Sequence, residues 1–192
     1  MSDSWYKVDN VAKVFLATAS MRDPRVFRIS CTLQEQVDPD TLNEALRRTA
    51  QEWPQFQVTL HRGLFWHYFE STDLMPAAQP ETKAPCAPLY TPERRNRLIY
   101  RVTYFGARIN LEMFHAITDG NGGLLYLKSI VRNYLALRHP GEMENVPSPN
   151  SASAGDMAQD SFRNFYEGTK RKKPAKKTKV YRPHGFLPYS QL

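Results

Sequence analysis

One run gathers the side chains suited to acid–base chemistry, Glu112-Met113-Phe114-His115-Ala116-Ile117-Thr118-Asp119-Gly120. Ile109, Leu111, Met113 and His115 share parity, so a strand continuing to His115 points its imidazole to the apolar side. There the ring is partly desolvated, which favours the neutral form a general base needs. Gly120 follows Asp119 without a side chain, so the backbone there can turn sharply or approach another segment. Thr118, Asp119 or Asn121 can cap a helix starting at this point, and a carboxylate suits the positive end of the helix dipole. The alternative is a structural histidine beside an ordinary helix cap. In a chain with five histidines, His-x-x-x-Asp arises by chance about one time in four, and requiring glycine next lowers that to about one in a hundred. The strand before and the helix after then favour a catalytic origin.

Other constellations carry less. Asp119-Gly120-Asn121-Gly122-Gly123 resembles the start of a calcium loop, but its twelfth position is Ile130 rather than a glutamate. The same glycines lack the spacing and later acid of a dinucleotide site. His61 and His67 flank a hairpin, yet two histidines without a third ligand are ordinary surface residues, and no metal is expected. No Gly-x-Ser-x-Gly elbow is present. Cys31 and Cys86 form no metal or redox motif. Cys31 alternates with Phe27, Ile29 and Leu33, which gives it an apolar packing role.

Periodicity sets the strands and helices that frame His115. Residues 26–34 alternate Phe27, Ile29, Cys31 and Leu33 against Arg28, Ser30 and Thr32, as a half-buried strand does. Asp38 and Pro39 open a helix at the N-cap and first helical positions. Leu42, Ala45, Leu46, Thr49, Ala50 and Trp53 fall on one face of it, and Pro54 ends it. Residues 56–61 and 64–70 form a hairpin about Arg62-Gly63, and residues 98–105 and 108–114 are two strands joined at Gly106. The stretch 71–93 reads as a loop of unusual length. A second helix spans 122–138, with Leu124, Leu127, Val131, Tyr134 and Leu135 on one side. A short helical piece around 162–168 follows a Ser-, Ala- and Pro-rich stretch. The order predicts an α/β (α+β) two-layer sandwich, a mixed sheet with helices packed on it.

The 192 residues, 41% of them hydrophobic and 23% charged, suit one globular domain with a real core. No run of eighteen apolar residues exists and no secretory signal opens the chain, so a reducing cytoplasm is expected. The net charge of +7 is local. Lys170, Arg171, Lys172, Lys173, Lys176, Lys177, Lys179 and Arg182 supply eight of the 26 basic residues, which leaves 18 against 19 acidic residues elsewhere. Tyr181 is the one aromatic in that run and no stacking residues are interleaved, so a solvated linker is expected in preference to nucleic-acid recognition.

The run His115 to Gly120 resembles the HxxxDG signature of the CoA-dependent acyltransferase superfamily. That superfamily includes chloramphenicol acetyltransferase, plant acyltransferases, nonribosomal condensation domains and alcohol acetyltransferases. Residues 37–46 with Trp53-Pro54 are similar to its first strand-helix unit, and the resemblance spans roughly residues 10–138. It implies one half of a chloramphenicol acetyltransferase-like fold, residues 1–140, followed at 141–192 by a crossover with the basic run. It implies that His115 takes the acceptor's proton as the acceptor attacks an acyl-CoA thioester. Asp119 is then a brace turned away from the substrate and paired with an arginine, and Gly120 permits close packing. Acyl-CoA, acetyl-CoA first, is a co-substrate and no cofactor is bound; the other partner is a small alcohol or amine. Condensation domains usually carry two adjacent histidines, whereas Phe114 precedes His115 here, which favours an alcohol-acetyltransferase-like member. Family enzymes are about twice this length, and no Asp-Phe-Gly-Trp-Gly-type motif occurs here. A missing C-terminal half, or self-association through the face it would cover, is therefore expected.

Overall fold

The computed structural model describes residues 5–64, 66–91 and 96–142. The elements in chain order are β1 (Trp5–Lys7), α1 (Asn10–Thr18), β2 (Val26–Thr32), α2 (Pro39–Glu52), β3 (Val58–Arg62), β4 (His67–Ser71), β5 (Gln79–Pro80), β6 (Tyr100–Phe105), β7 (Arg108–Phe114) and α3 (Gly120–Arg138). They form a four-stranded sheet ordered β2-β7-β6-β5 and a three-stranded sheet ordered β1-β4-β3. Only β5 on β6 is parallel, so the larger sheet is mixed, as expected. A bridge between Thr59 and Leu98 links the two sheets.

The core of the larger sheet follows from alternation. Ile109, Leu111 and Met113 of β7 and Tyr100 and Val102 of β6 face α2 and α3, whose Leu42, Leu46, Leu127 and Ile130 close over them. Leu42, Leu46, Ile109, Leu111 and Ile130 are wholly buried, each adding roughly 1.5–3 kcal/mol of hydrophobic stabilisation. The α2 helix starts as its sequence dictates, with Asp38 accepting from the Thr41 N–H at 2.8 Å and Pro39 in the first turn. The two helices are also pinned by polar contacts. Trp53 Nε1 donates to Ser129 at 3.0 Å, and Asn133 donates to Thr49 at 3.0 Å. A second cluster joins the smaller sheet to α1 through Val8, Ala12, Val58, Leu60, Ile99, Phe114 and Ala116.

Three readings change. The helix α1 and strand β1 are not legible in the hydrophobic pattern. The stretch 71–93 is more than a loop: β5 lies in it, Glu81 N–H donates to the Tyr104 carbonyl at 2.9 Å, and Ala78 N–H donates to Asn43 at 2.8 Å. It is a strap across the sheet. The helix α3 begins at Gly120, two residues before the expected start. The basic run 170–182, the helical piece at 162–168 and the crossover beyond Glu142 lie outside the described residues.

Candidate functional site

Strand β7 ends at Phe114, and His115 opens the turn that leads into α3. The turn is held on both sides. His115 N–H donates to the Arg25 carbonyl at 2.9 Å, and Ile117 N–H returns to the Phe114 carbonyl at 3.0 Å. Arg25 adopts the left-handed region, with φ of 55°, just before β2 begins. The strand ends one residue earlier than its parity implied, yet the imidazole keeps the expected side. It meets Phe27 of β2, whose Cα partner is Met113.

Two phenylalanines enclose the ring. Phe15 of α1 lies nearly parallel to it, with centroids 4.5 Å apart and planes 12° apart, and Phe27 is tilted at 4.6 Å. Phe27 packs on the α2–α3 core and Phe15 on the α1 core, so His115 sits where the two clusters meet. Its Nδ1 is buried without a hydrogen-bond partner among the described residues, while the residue as a whole is half-buried. Nε2 is therefore the nitrogen left to meet another molecule. A histidine placed this way can take and return a proton but has no hydrogen-bonded partner among the described residues to orient it.

Asp119 is the N-cap of α3, and its carboxylate accepts from the Gly122 N–H at 2.8 Å. Among the described residues no arginine forms an ion pair with it. What the described residues show for Asp119 is the helix cap. The expectation for Gly120 also moves. A Cβ at Gly120 meets no described atom within 4 Å, whereas one at Gly122 would stand 2.0 Å from Thr118 Oγ1 and one at Gly123 2.8 Å from the Phe27 ring. The close approach belongs to Gly122 and Gly123, and Gly123 is what lets Phe27 reach both α3 and the imidazole. Phe114, where condensation domains usually have their first histidine, is buried and stacks on Tyr90 at 6.3 Å.

Sequence reasoning missed Phe15, because α1 was missed. The available signal was Asp9, which caps α1 by accepting from Ala12 N–H at 2.6 Å. It also missed Glu112. This carboxylate is fully buried on the opposite face of β7 and accepts from Arg28, from Arg101 and from the Cys86 N–H of the strap at 2.9 Å. Burial alone would raise its pKa. The Cys86 N–H and the two guanidiniums outweigh that and hold it below the ordinary carboxylate value. Glu81 of the strap joins the network by binding Arg28 and Arg108.

His61 and His67 do not come together. His61 Nε2 is 2.9 Å from Glu70 and 2.8 Å from Thr59, while His67 lies edge-on to Tyr90, its pKa lowered by burial and by Arg62. Among the described residues no group of three or more His, Cys, Asp and Glu could hold a metal ion, and no helix is long and apolar enough to cross a membrane.

The chain matches no protein-family model and no curated protein sequence. Among solved structures it is similar to the starter condensation domain of rhizomide synthetase RzmA, at 13% identity and a TM-score of 0.54, over 70% of this chain and 38% of that one. A variant of that domain in complex with C8-CoA is similar at 12% identity and 0.56, over 70% and 36%. Polyketide synthase associated protein 5 from Mycobacterium tuberculosis is similar at 14% identity and 0.52, over 74% and 35%. The fold is therefore that of condensation domains. The chain spans well under half the length of these neighbours, which agrees with a half-fold.

Proposed function

We propose that this chain carries the general base of an acyltransferase that uses acyl-CoA, acetyl-CoA in the first instance, and an alcohol or amine acceptor. Nε2 of His115 accepts the acceptor's proton as its oxygen or nitrogen forms the new bond to the thioester carbonyl carbon. The carbon–sulfur bond then breaks, and the imidazolium returns the proton to the departing thiolate, so no acyl-enzyme forms. The observation that supports this most is the placement of His115. It stands at a strand end, with one nitrogen walled in and the other available, on a fold whose relatives include a condensation domain solved with C8-CoA. Asp119 and Gly120 contribute by starting α3, not by touching substrate.

The site is one wall of a cleft. The proposal assigns the facing wall to a second unit of similar size, either a C-terminal half or another copy of the chain. Val11 and Val14 of α1, with Leu64 and Trp66 at the β3–β4 tip, are exposed apolar side chains such a unit could cover. His115→Ala in the intact protein should lower acyl transfer from acetyl-CoA by about 10²–10⁴-fold; unchanged turnover sinks the proposal. A second reading is a binding module on the same half-fold without catalysis, favoured by the chain's covering only 38% of the condensation domain's length. Acyl transfer by the isolated 192 residues would exclude it.

A further inference from the structure

We infer that Phe15 is a positioning residue for His115, a role that rests on the acyltransferase reading above. The imidazole has no carboxylate or carbonyl bonded to Nδ1 among the described residues, so hydrogen bonding does not set its plane. Two aromatic rings do. Phe15 lies flat on one side at 4.5 Å and Phe27 closes at an angle at 4.6 Å. Phe27 is fixed between β7 and the Cβ-free edge of α3 at Gly123, so it serves as a rigid back wall. Phe15 is the other jaw, and it comes from a separate element. The helix α1 carries it on the face that also buries Ala12, while Val11 and Val14 point outward. Stacking of this kind contributes about 0.5–1.5 kcal/mol beyond simple burial. It turns rotation of the imidazole into a packing loss and keeps Nε2 aimed out of the cluster. Misplacing a catalytic group by about 1 Å can cost on the order of 10² in rate.

The test uses Phe15→Leu and Phe15→Tyr, with Lys13→Ala at an exposed position of α1 as the control. Two readouts are taken: the imidazole proton resonances of His115 by NMR, and kcat and KM for acyl transfer by the intact protein. A ring lying flat on the imidazole shifts its proton resonances upfield. The expected result is that Phe15→Leu, which keeps an apolar side chain and the α1 core, abolishes this shift and lowers kcat about tenfold or more at unchanged KM. Phe15→Tyr keeps the shift and most of kcat, and Lys13→Ala changes neither. Resonances unmoved by Phe15→Leu overturn the inference, as does a moved resonance with wild-type kcat or with a change in KM alone. Failure of the acyltransferase reading is distinguished by His115→Ala, which then retains turnover while the ring-current result still stands.

Discussion

Glu112 and His115 are three residues apart, Glu112 on β7 and His115 just past its end, and the fold treats them in opposite ways. The Glu112 carboxylate faces the strap and accepts from both guanidiniums and a backbone N–H, with Arg28 Nε at 2.8 Å and Arg101 Nε at 2.7 Å. The His115 imidazole lies between hydrocarbon rings with Nδ1 unpartnered among the described residues. A buried charge tolerates its site only when its lone pairs are filled, so the Glu112 network is a fastening and has no capacity left for a ligand. A half-buried polar ring held by packing alone keeps a nitrogen available. Together they separate what secures the end of β7 from what works there.

The largest effect should divide the two. Glu112→Ala takes the carboxylate from Arg101 and leaves Arg28 with Glu81 alone; both guanidiniums are mostly buried, with side-chain exposures of 18% for Arg28 and 23% for Arg101. It should cost about 3 kcal/mol in a denaturant melt. His115→Ala removes a ring that makes no side-chain hydrogen bond among the described residues and should cost clearly less, about 1 kcal/mol. Equal losses would break the contrast. Acid sharpens it. The folded pKa of Glu112 lies below the ordinary value of 4.5, so the network's contribution is fully present above that pH and is lost as the pH falls through the lower folded value. Stability of the wild type should therefore drop below about pH 4. Glu112→Gln should flatten that drop, read as melting temperature against pH.

The same contrast explains what was legible. His115, the Asp38 cap, α2, β2, β6 and β7 are local signals of parity and capping, and they survive folding nearly unchanged. Glu112 sits between Leu111 and Met113, so alternation sends it to solvent. It is buried because the strap, whose Cys86 is 26 residues away in sequence, lies over that face, and because Arg28 reaches it from 84 residues away. No local pattern encodes either contact. The helix α1 was hidden for a different reason. Val11, Ala12, Val14, Phe15 and Leu16 spread over a wide arc of the helix, which blurs the helical period, and β-branched valines favour strands. The glycine role shifted from Gly120 to Gly123 because a helix-start glycine shows its necessity only once the facing ring, Phe27, is placed.

An intermediate effect tests that placement. Gly123→Ala sets a methyl 2.8 Å from the Phe27 ring, and should cost about 2 kcal/mol by overpacking and displace the wall behind His115. Gly120→Ala meets open space among the described residues and should be neutral or slightly stabilising, because alanine is the better helix former. If Gly120→Ala were the costlier of the two, the packing assignment would be reversed.

The smallest effect decides what Asp119 does. As a cap it accepts one N–H, from Gly122 at 2.8 Å. Its loss in Asp119→Ala should cost about 1 kcal/mol and fray the first turn of α3, loosening the 115–119 turn. Asparagine caps nearly as well as aspartate, so Asp119→Asn should retain most of that stability and most of the turnover. A brace paired with an arginine behaves otherwise, since removing the negative charge breaks it whether the replacement is alanine or asparagine. Equal losses in the two variants would restore the ion-pair brace that the resemblance implies and place its arginine outside the described residues. A mild Asp119→Asn beside a clear Asp119→Ala would leave the helix cap as the support that carries the chain from β7 through His115 into α3.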